Sequence, residues 1–175
     1  MVVNGLSGVV GRMIVPASDG TGEVVEVGAD VTTLAVGDRV ITTFFPDWTA
    51  GPVSDATTAR ALGGSIDGVL AEEVVLPEQS WVQMPAHLSY VEAATLTCAG
   101  VTAWHALFAL ETLRPGATVA LLGTGGVSIW ALQLAKAAGL RVILTSSDDV
   151  KLKTGRELGA DDVVNYRRTP NWGEA

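Results

Sequence analysis

The stretch Leu121-Leu122-Gly123-Thr124-Gly125-Gly126-Val127-Ser128-Ile129-Trp130, LLGTGGVSIW, sets a glycine turn between a segment of strand character and one of helical character. Upstream, Ala117 to Leu122 is a continuous apolar run of strand length, which predicts a buried strand. Downstream, Ser128 to Ala138 places apolar residues at helical spacing and closes on Gly139, a residue suited to a helix C-terminus. In the dinucleotide fingerprint the first glycine permits a tight turn, the second admits the pyrophosphate to the backbone, and the third allows close packing of helix on strand. Gly123 and Gly125 supply the first two roles, and Ser128 stands in the third. Serine is only one hydroxymethyl group larger than glycine, so this departure bears on packing and leaves the phosphate-facing positions intact. An isolated glycine pattern is a weak signal; a strand before it and a helix after it make it specific.

The pattern continues toward the C-terminus. Arg141 to Thr145 reads as a second strand, Lys151 to Leu158 as a helix closing at Gly159, and Asp162 to Tyr166 as a third strand. The order β-α-β-α-β implies a parallel sheet with right-handed crossovers. Where such folds prefer NAD, an acidic residue about twenty positions beyond the turn binds the ribose hydroxyls. Here the second strand ends Thr145-Ser146-Ser147. Serine hydroxyls do not repel a 2′-phosphate, and Lys151 adds positive charge, while Asp148 and Asp149 oppose it; NADP is favoured over NAD. Ser146 and Ser147 are alternatively helix N-caps with no ligand.

Outward toward the N-terminus, residues 22 to 76 are rich in valine, threonine and glycine: GEVVEVG, GDRVITTFF and GVLAEEVVL. Short β-branched runs bounded by turn residues predict a twisted, barrel-like β unit. Phe45 to Gly64 reads as a loop with a helical turn near its end. Ser89-Tyr90-Val91-Glu92 matches a capping box ahead of the alanine-rich AATLTCAGVTAWHALFAL, so helices begin there.

Composition limits the partners. A net charge of -8 over 175 residues, with Arg167-Arg168 the only basic doublet, argues against nucleic acid and anionic membranes. The two longest charge-free stretches, Pro115 to Ala135 and Ala93 to Leu110, are interrupted by glycines or by Thr95, Thr97, Thr102 and His105, which disfavours a membrane span. The start, MVVNGLSGVVGRM, lacks the pattern of a secretory leader. One cysteine, Cys98, excludes an internal disulfide and suits a cytoplasmic setting.

Taken in order, PASDGTGEVVEVGADVTTLAVGDRV, CAGVTAWHAL, LLGTGGVSIWALQLAKAAGLRVILTSS and LGADDVVNY resemble the medium-chain dehydrogenase/reductases, and most of all their zinc-independent alcohol dehydrogenase-like and quinone oxidoreductase-like branch. The resemblance implies an α/β chain: a partial GroES-like β-barrel domain over residues 1–88, connecting helices over 89–114, and a partial Rossmann doubly wound parallel sheet over 115–175. It implies hydride transfer between a nicotinamide cofactor and a carbonyl, alcohol, enone or quinone. By position it assigns Gly123, Thr124, Gly125, Gly126 and Val127 to the pyrophosphate and Thr102 to the nicotinamide end. Ser146, Lys151 and Tyr166 match positions on the 2′-phosphate side, with Ser147 a further cofactor-binding candidate at the same strand end, although Lys151 and Tyr166 equally suit a solvated helix residue and a packed rim aromatic.

Zinc-using relatives carry Gly-His-Glu where this chain reads Ala17-Ser18-Asp19. Cys98 matches the position of a zinc cysteine, but one thiolate with only His87 and His105 in the chain is short of a ligand set, and residues 40 to 76 hold no cysteine for a structural site. The expectation is therefore no metal. Substrate would be positioned against the nicotinamide and polarised by hydrogen bonds, with no assigned catalytic residue. Asp19 and Cys98 are the candidates by position, Cys98 being expected as an inert buried thiol.

The resemblance further implies strands before Met1 and three more after the third Rossmann strand. The strand at 117 to 122, central in the order 3-2-1-4-5-6, would then form an exposed edge open to pairing or homo-oligomer formation. Two other functions compete: a non-catalytic nucleotide-binding relative, and a zinc-dependent alcohol dehydrogenase. The expected partner is a small-molecule substrate.

Overall fold

In the computed structural model, residues 13–109 and 113–174 are described. The reading of the first twelve residues as leader-free, and residues 110–112 of the expected connecting helices, lie outside them. The chain divides into two compact units, Met1–Cys98 and Ala99–Ala175.

The first unit is built on three antiparallel strands in the order β1-β2-β3: β1 (Thr21–Glu23), β2 (Arg39–Thr42) and β3 (Trp81–Gln83). Gly22 faces Val40 and Ile41 faces Val82. The central strand is the buried one, with Val40, Ile41 and Thr42 nearly inaccessible, because among the described strands of this sheet only β2 has neighbours on both sides. Ile41, Met84 and Ala93 form the small core, with Leu88 and Leu96 packed on it. Among the described residues this is an open sheet and not a closed barrel.

Two of the expected strands are corrected. GEVVEVG pairs only to Val24, whose N–H bonds the Asp38 carbonyl at 2.9 Å; beyond it Val25 is 69% exposed. GVLAEEVVL is no regular strand. Its start runs beside residues 15–17, with Gly68, Val69 and Leu70 N–H groups donating to Val15, Ala17 and Pro16. A ladder cannot propagate there because Ala17 turns the backbone to φ 72°.

The helical turn in the 45–64 loop is α1 (Asp55–Thr58), capped by Ser54. The expected capping box starts α2 (Tyr90–Ala94): the Ser89 hydroxyl accepts from the Glu92 N–H, and the Glu92 carboxylate accepts from the Ser89 N–H at 2.9 Å and its hydroxyl at 2.6 Å. These bonds, the hydroxyl's foremost, hold the Glu92 carboxyl below its ordinary value. The helix does not run on regularly. Two five-residue π-turns, Leu96–Gly100 and His105–Ala109, flank α3 (Val101–Trp104).

In the second unit, β4 (Thr118–Leu121), β5 (Arg141–Ser146) and β6 (Asp162–Asn165) form a parallel sheet in that order, linked through α4 (Gly126–Ala137) and α5 (Asp149–Glu157). The β-α-β-α-β reading therefore holds, and Gly139 and Gly159 end the two helices at positive φ. Leu132, Leu140, Val142 and Leu144 are fully buried at the centre. Each contributes about 1.5–3 kcal/mol through burial. β5, flanked on both sides, carries that core. β4 does not match the buried strand expected from its apolar run: its residues alternate between exposed and half-buried, and Leu122 just beyond is 69% exposed. Only β5 borders it among the described strands, which fits the expected edge position.

Two features close this unit. Gly155 lets α5 lie directly on β5; a Cβ there would come within 2.3 Å of Leu144 Cδ2. Asp161 accepts from Lys136 Nζ at 2.8 Å and the Val142 N–H at 2.7 Å, tying α4 to the β5–β6 end of the sheet. The lysine contact, then the N–H, lowers the Asp161 carboxyl from its ordinary value.

Candidate cofactor-binding site

The glycine turn lies at the C-terminal ends of the parallel strands, where open α/β sheets bind ligands. β4 ends at Leu121, and Gly123 takes φ 80°, a conformation open to glycine at little cost, to reverse the chain. The Gly123 N–H is held by the Thr145 hydroxyl of β5 at 3.0 Å. The Thr124 and Ser146 hydroxyls meet at 3.2 Å, fixing the turn to the next strand a second time.

Gly125 is the N-cap of α4 and offers no side chain to its N–H groups. These first-turn donors normally need an acceptor, and with the helix dipole they favour an anion. A Cβ at Gly123 or Gly125 would meet no protein atom within 4 Å, so the space over the helix start is open on the ligand side. At Gly126 the limit is different: its Cβ would stand 3.4 Å from that of Ala99. The turn thus suits a diphosphate: no side chain caps the helix start, and a Cβ at Gly123 or Gly125 would meet nothing within 4 Å.

Ser128 has a definite task. Its hydroxyl donates to the Leu122 carbonyl at 3.0 Å, bonding the first turn of α4 to the end of the strand preceding it. A glycine would achieve proximity there; serine achieves a bond.

The other expected residues distribute around this rim. Ser146 is 4% exposed, and its hydroxyl also accepts from the Asp148 N–H at 3.3 Å. The alternative reading of Ser146 and Ser147 as N-caps is corrected: Asp148 caps α5, accepting from the Val150 and Lys151 N–H groups. Lys151 is exposed in the first turn of α5. Tyr166 follows β6, is 43% exposed, and donates its N–H to the Ser146 carbonyl. Thr102 is exposed on α3, a helix that packs against α4.

Sequence reasoning missed Asn165. Its Nδ2 donates to Asp149 Oδ1 at 2.7 Å and to the Ser147 carbonyl at 3.5 Å, while its Oδ1 accepts from the Arg167 N–H at 3.1 Å. Arg168 completes the arrangement with an ion pair to Asp149. The run DVVNY signalled a strand end and carried no sign of this junction.

In the first unit, the Ser18 hydroxyl donates to Asp19 Oδ1 at 2.6 Å, and the Ser18 carbonyl accepts from the Thr42 hydroxyl. Ala17 before them is the one non-glycine residue at positive φ among those described. Gly63 and Gly68 lie so near that a Cβ on either would reach Ala17 backbone atoms at 2.7 and 2.0 Å. Cys98 is exposed, which corrects the buried-thiol expectation. On the π-turn its neighbour Thr97 faces inward, bonding the Thr42 carbonyl, and Cys98 is turned out. Among the described residues no three His, Cys, Asp or Glu side chains gather in a metal-holding arrangement. A groove of about 340 Å³ beside β1, walled by Val24, Val27, Val40, Val69 and Trp81, contains none of these site residues. No helix among the described residues is long and apolar enough to cross a membrane.

Comparison with known proteins agrees with this architecture. Residues 2–86 match the alcohol dehydrogenase GroES-like domain, and residues 126–175 match the zinc-binding dehydrogenase domain. A zinc-type alcohol dehydrogenase-like protein of Schizosaccharomyces pombe is 47% identical over 161 residues, 91% of this chain and 46% of that protein. The crystal structure of a Sinorhizobium meliloti protein assigned to the alcohol dehydrogenases is 49% identical, with a TM-score of 0.86 over 92% of this chain and 48% of its own. An NAD-dependent alcohol dehydrogenase is 36% identical, with a TM-score of 0.77 over 88% and 47%. The chain spans about half the length of the curated relatives it matches. Collinear match to both domains and the parallel-sheet glycine turn together assign the chain to the medium-chain dehydrogenase/reductase superfamily.

Proposed function

We propose that the protein is a nicotinamide-dependent oxidoreductase that moves hydride between NADPH and a carbonyl, alcohol, enone or quinone substrate without a catalytic zinc. The observation that carries the reading is the start of α4 at Gly125 above the Gly123 turn, open to solvent and with no side chain capping its first-turn N–H groups. Gly123 through Val127 hold the diphosphate; Ser146, Ser147, Lys151 and Tyr166 form the adenosine rim, and Thr102 belongs to the nicotinamide end. When bound, the nicotinamide supplies the hydride chemistry, and the protein orients it and excludes water.

Preference for NADPH rests on the hydroxyl-bearing end of β5 and on Lys151. Independence from zinc rests on Ser18 in place of a histidine, on a single cysteine, and on the scarcity of histidine. The zinc-type name of the Schizosaccharomyces pombe relative speaks the other way, so metal content belongs in the test. A small-molecule substrate and a cytoplasmic setting complete the reading, in keeping with the acidic charge and lone thiol.

Calorimetric titration of the chain with NADPH and NADH, followed by hydride-transfer assays with a quinone and an aldehyde, tests the proposal. NADPH binding tighter than NADH, with turnover unaffected by a chelator, is the expected result. Failure of both nucleotides to bind refutes the cofactor reading; zinc bound stoichiometrically and required for turnover refutes the zinc-free one.

A further inference from the structure

The rim that would face a 2′-phosphate carries two carboxylates, Asp148 and Asp149, immediately after Ser146-Ser147. Free, either one would repel a phosphate dianion and accept hydrogen bonds from ribose hydroxyls. Neither is free. Asp148 spends its carboxylate on the Val150 and Lys151 N–H groups at the start of α5. Asp149 is drawn toward the end of β6, where Asn165 Nδ2 donates to it at 2.7 Å and the Arg168 guanidinium pairs with it. Lys151 and Arg167 are left with no carboxylate partner among the described residues.

We infer that Arg168, with Asn165, is a specificity-positioning residue: it neutralises Asp149 and holds its carboxylate at the end of β6, so that a sequence carrying two acids there accepts a 2′-phosphate. This rests on the NADPH reading above and deepens it. Arg168 acts through Asp149 and makes no contact with the nucleotide itself. Asn165 sets the direction of the pull, since its two side-chain ends tie the Asp149 carboxylate and the Ser147 carbonyl to the turn carrying Arg167 and Arg168.

The test is a double-mutant cycle on the whole chain, read as the ratio of NADH to NADPH dissociation constants by calorimetry. An uncompensated carboxylate about 8 Å from a phosphate dianion in a solvated rim lowers relative NADPH affinity about fivefold. Arg168→Ala is therefore expected to cut the ratio about fivefold, more at low salt than at high. Arg168 is mostly exposed, so the fold survives the change. Adding Asp149→Asn to Arg168→Ala is expected to restore the ratio to within about twofold of wild type. A double variant as impaired as Arg168→Ala overturns the inference, because Arg168 would then be touching the phosphate. A wild type that prefers NADPH while Arg168→Ala leaves the ratio unchanged overturns it as well and leaves the NADPH reading standing. A wild type that binds neither nucleotide, or prefers NADH, overturns the NADPH reading and this inference with it.

Discussion

Replacing Gly125 with alanine separates what the fold needs from what the ligand needs. Gly125 has φ -80° and ψ 176°, a conformation any residue adopts, and a Cβ there meets no protein atom within 4 Å. The added methyl therefore brings neither strain nor clash, and the only structural cost is the poorer N-cap, at most about 1 kcal/mol. For a diphosphate the same methyl is an obstacle, since it occupies the space over the first-turn N–H groups. Displacing one phosphate oxygen from an N–H donor forfeits a hydrogen bond to a charged group, about 1.5–3 kcal/mol. NADPH affinity should accordingly fall about 10- to 150-fold, while the urea midpoint moves little.

Two measurements on the same protein decide the matter: calorimetric titration with NADPH and equilibrium urea unfolding. Gly22→Ala is the control, because its Cβ also meets nothing within 4 Å but it lies on β1, in the other unit. It should leave affinity unchanged. A Gly125→Ala variant that binds NADPH within twofold of wild type refutes the placement of the diphosphate over this turn. So does equal weakening by Gly22→Ala.

Four further outcomes follow from the packing. Gly155→Ala gains about 1 kcal/mol of helix propensity but forces its Cβ against the buried Leu144, an overpacking of about 1–3 kcal/mol; a net loss in urea midpoint is expected, and a gain would mean that α5 can lift away. Ser80→Ala removes a fully buried hydroxyl that has no hydrogen-bond partner among the described residues and should be neutral or stabilising by up to about 1 kcal/mol; a loss above about 1 kcal/mol would reveal a hidden partner. Ser128→Ala breaks the bond to the Leu122 carbonyl, worth about 1 kcal/mol, so unfolding should shift without loss of NADPH affinity beyond about threefold. Asp161, whose carboxyl is lowered chiefly by Lys136, binds a proton more weakly folded than unfolded, so its contribution is full above the ordinary carboxylate range and fades as pH falls through the folded value; Lys136→Met should flatten that acid limb of the stability curve, and an unchanged limb would deny the contact.

The second unit was more legible than the first for a physical reason. Its strands are separated by helices long enough to show period, and Gly139 and Gly159 end those helices by local geometry alone. In the first unit the valine runs have the propensity for strands, but propensity does not say which run finds a partner. Val25 and Val75 are exposed despite lying in such runs, while Trp81–Gln83, with no strong pattern, pairs with β2. Likewise, the apolar composition of β4 suggested burial, yet among the described strands only β5 borders it, and its residues stay exposed or half-buried.

At the site, the features legible in the sequence are the local structural ones: the turn, the helix start, and the hydroxyl-bearing end of a strand. What sequence distance hides is the state of the charges. Asp148 and Asp149 stand one after the other and look equivalent, yet one caps α5 and the other is held by groups 16 and 19 residues away. A carboxylate's influence on a phosphate is set by its remaining charge and direction, not by its presence in the chain. Counting acids after β5 therefore leaves out the charge that pairs with one of them: Arg168, the partner of Asp149, lies beyond the next strand, in a basic doublet that had suggested only the absence of a nucleic-acid surface.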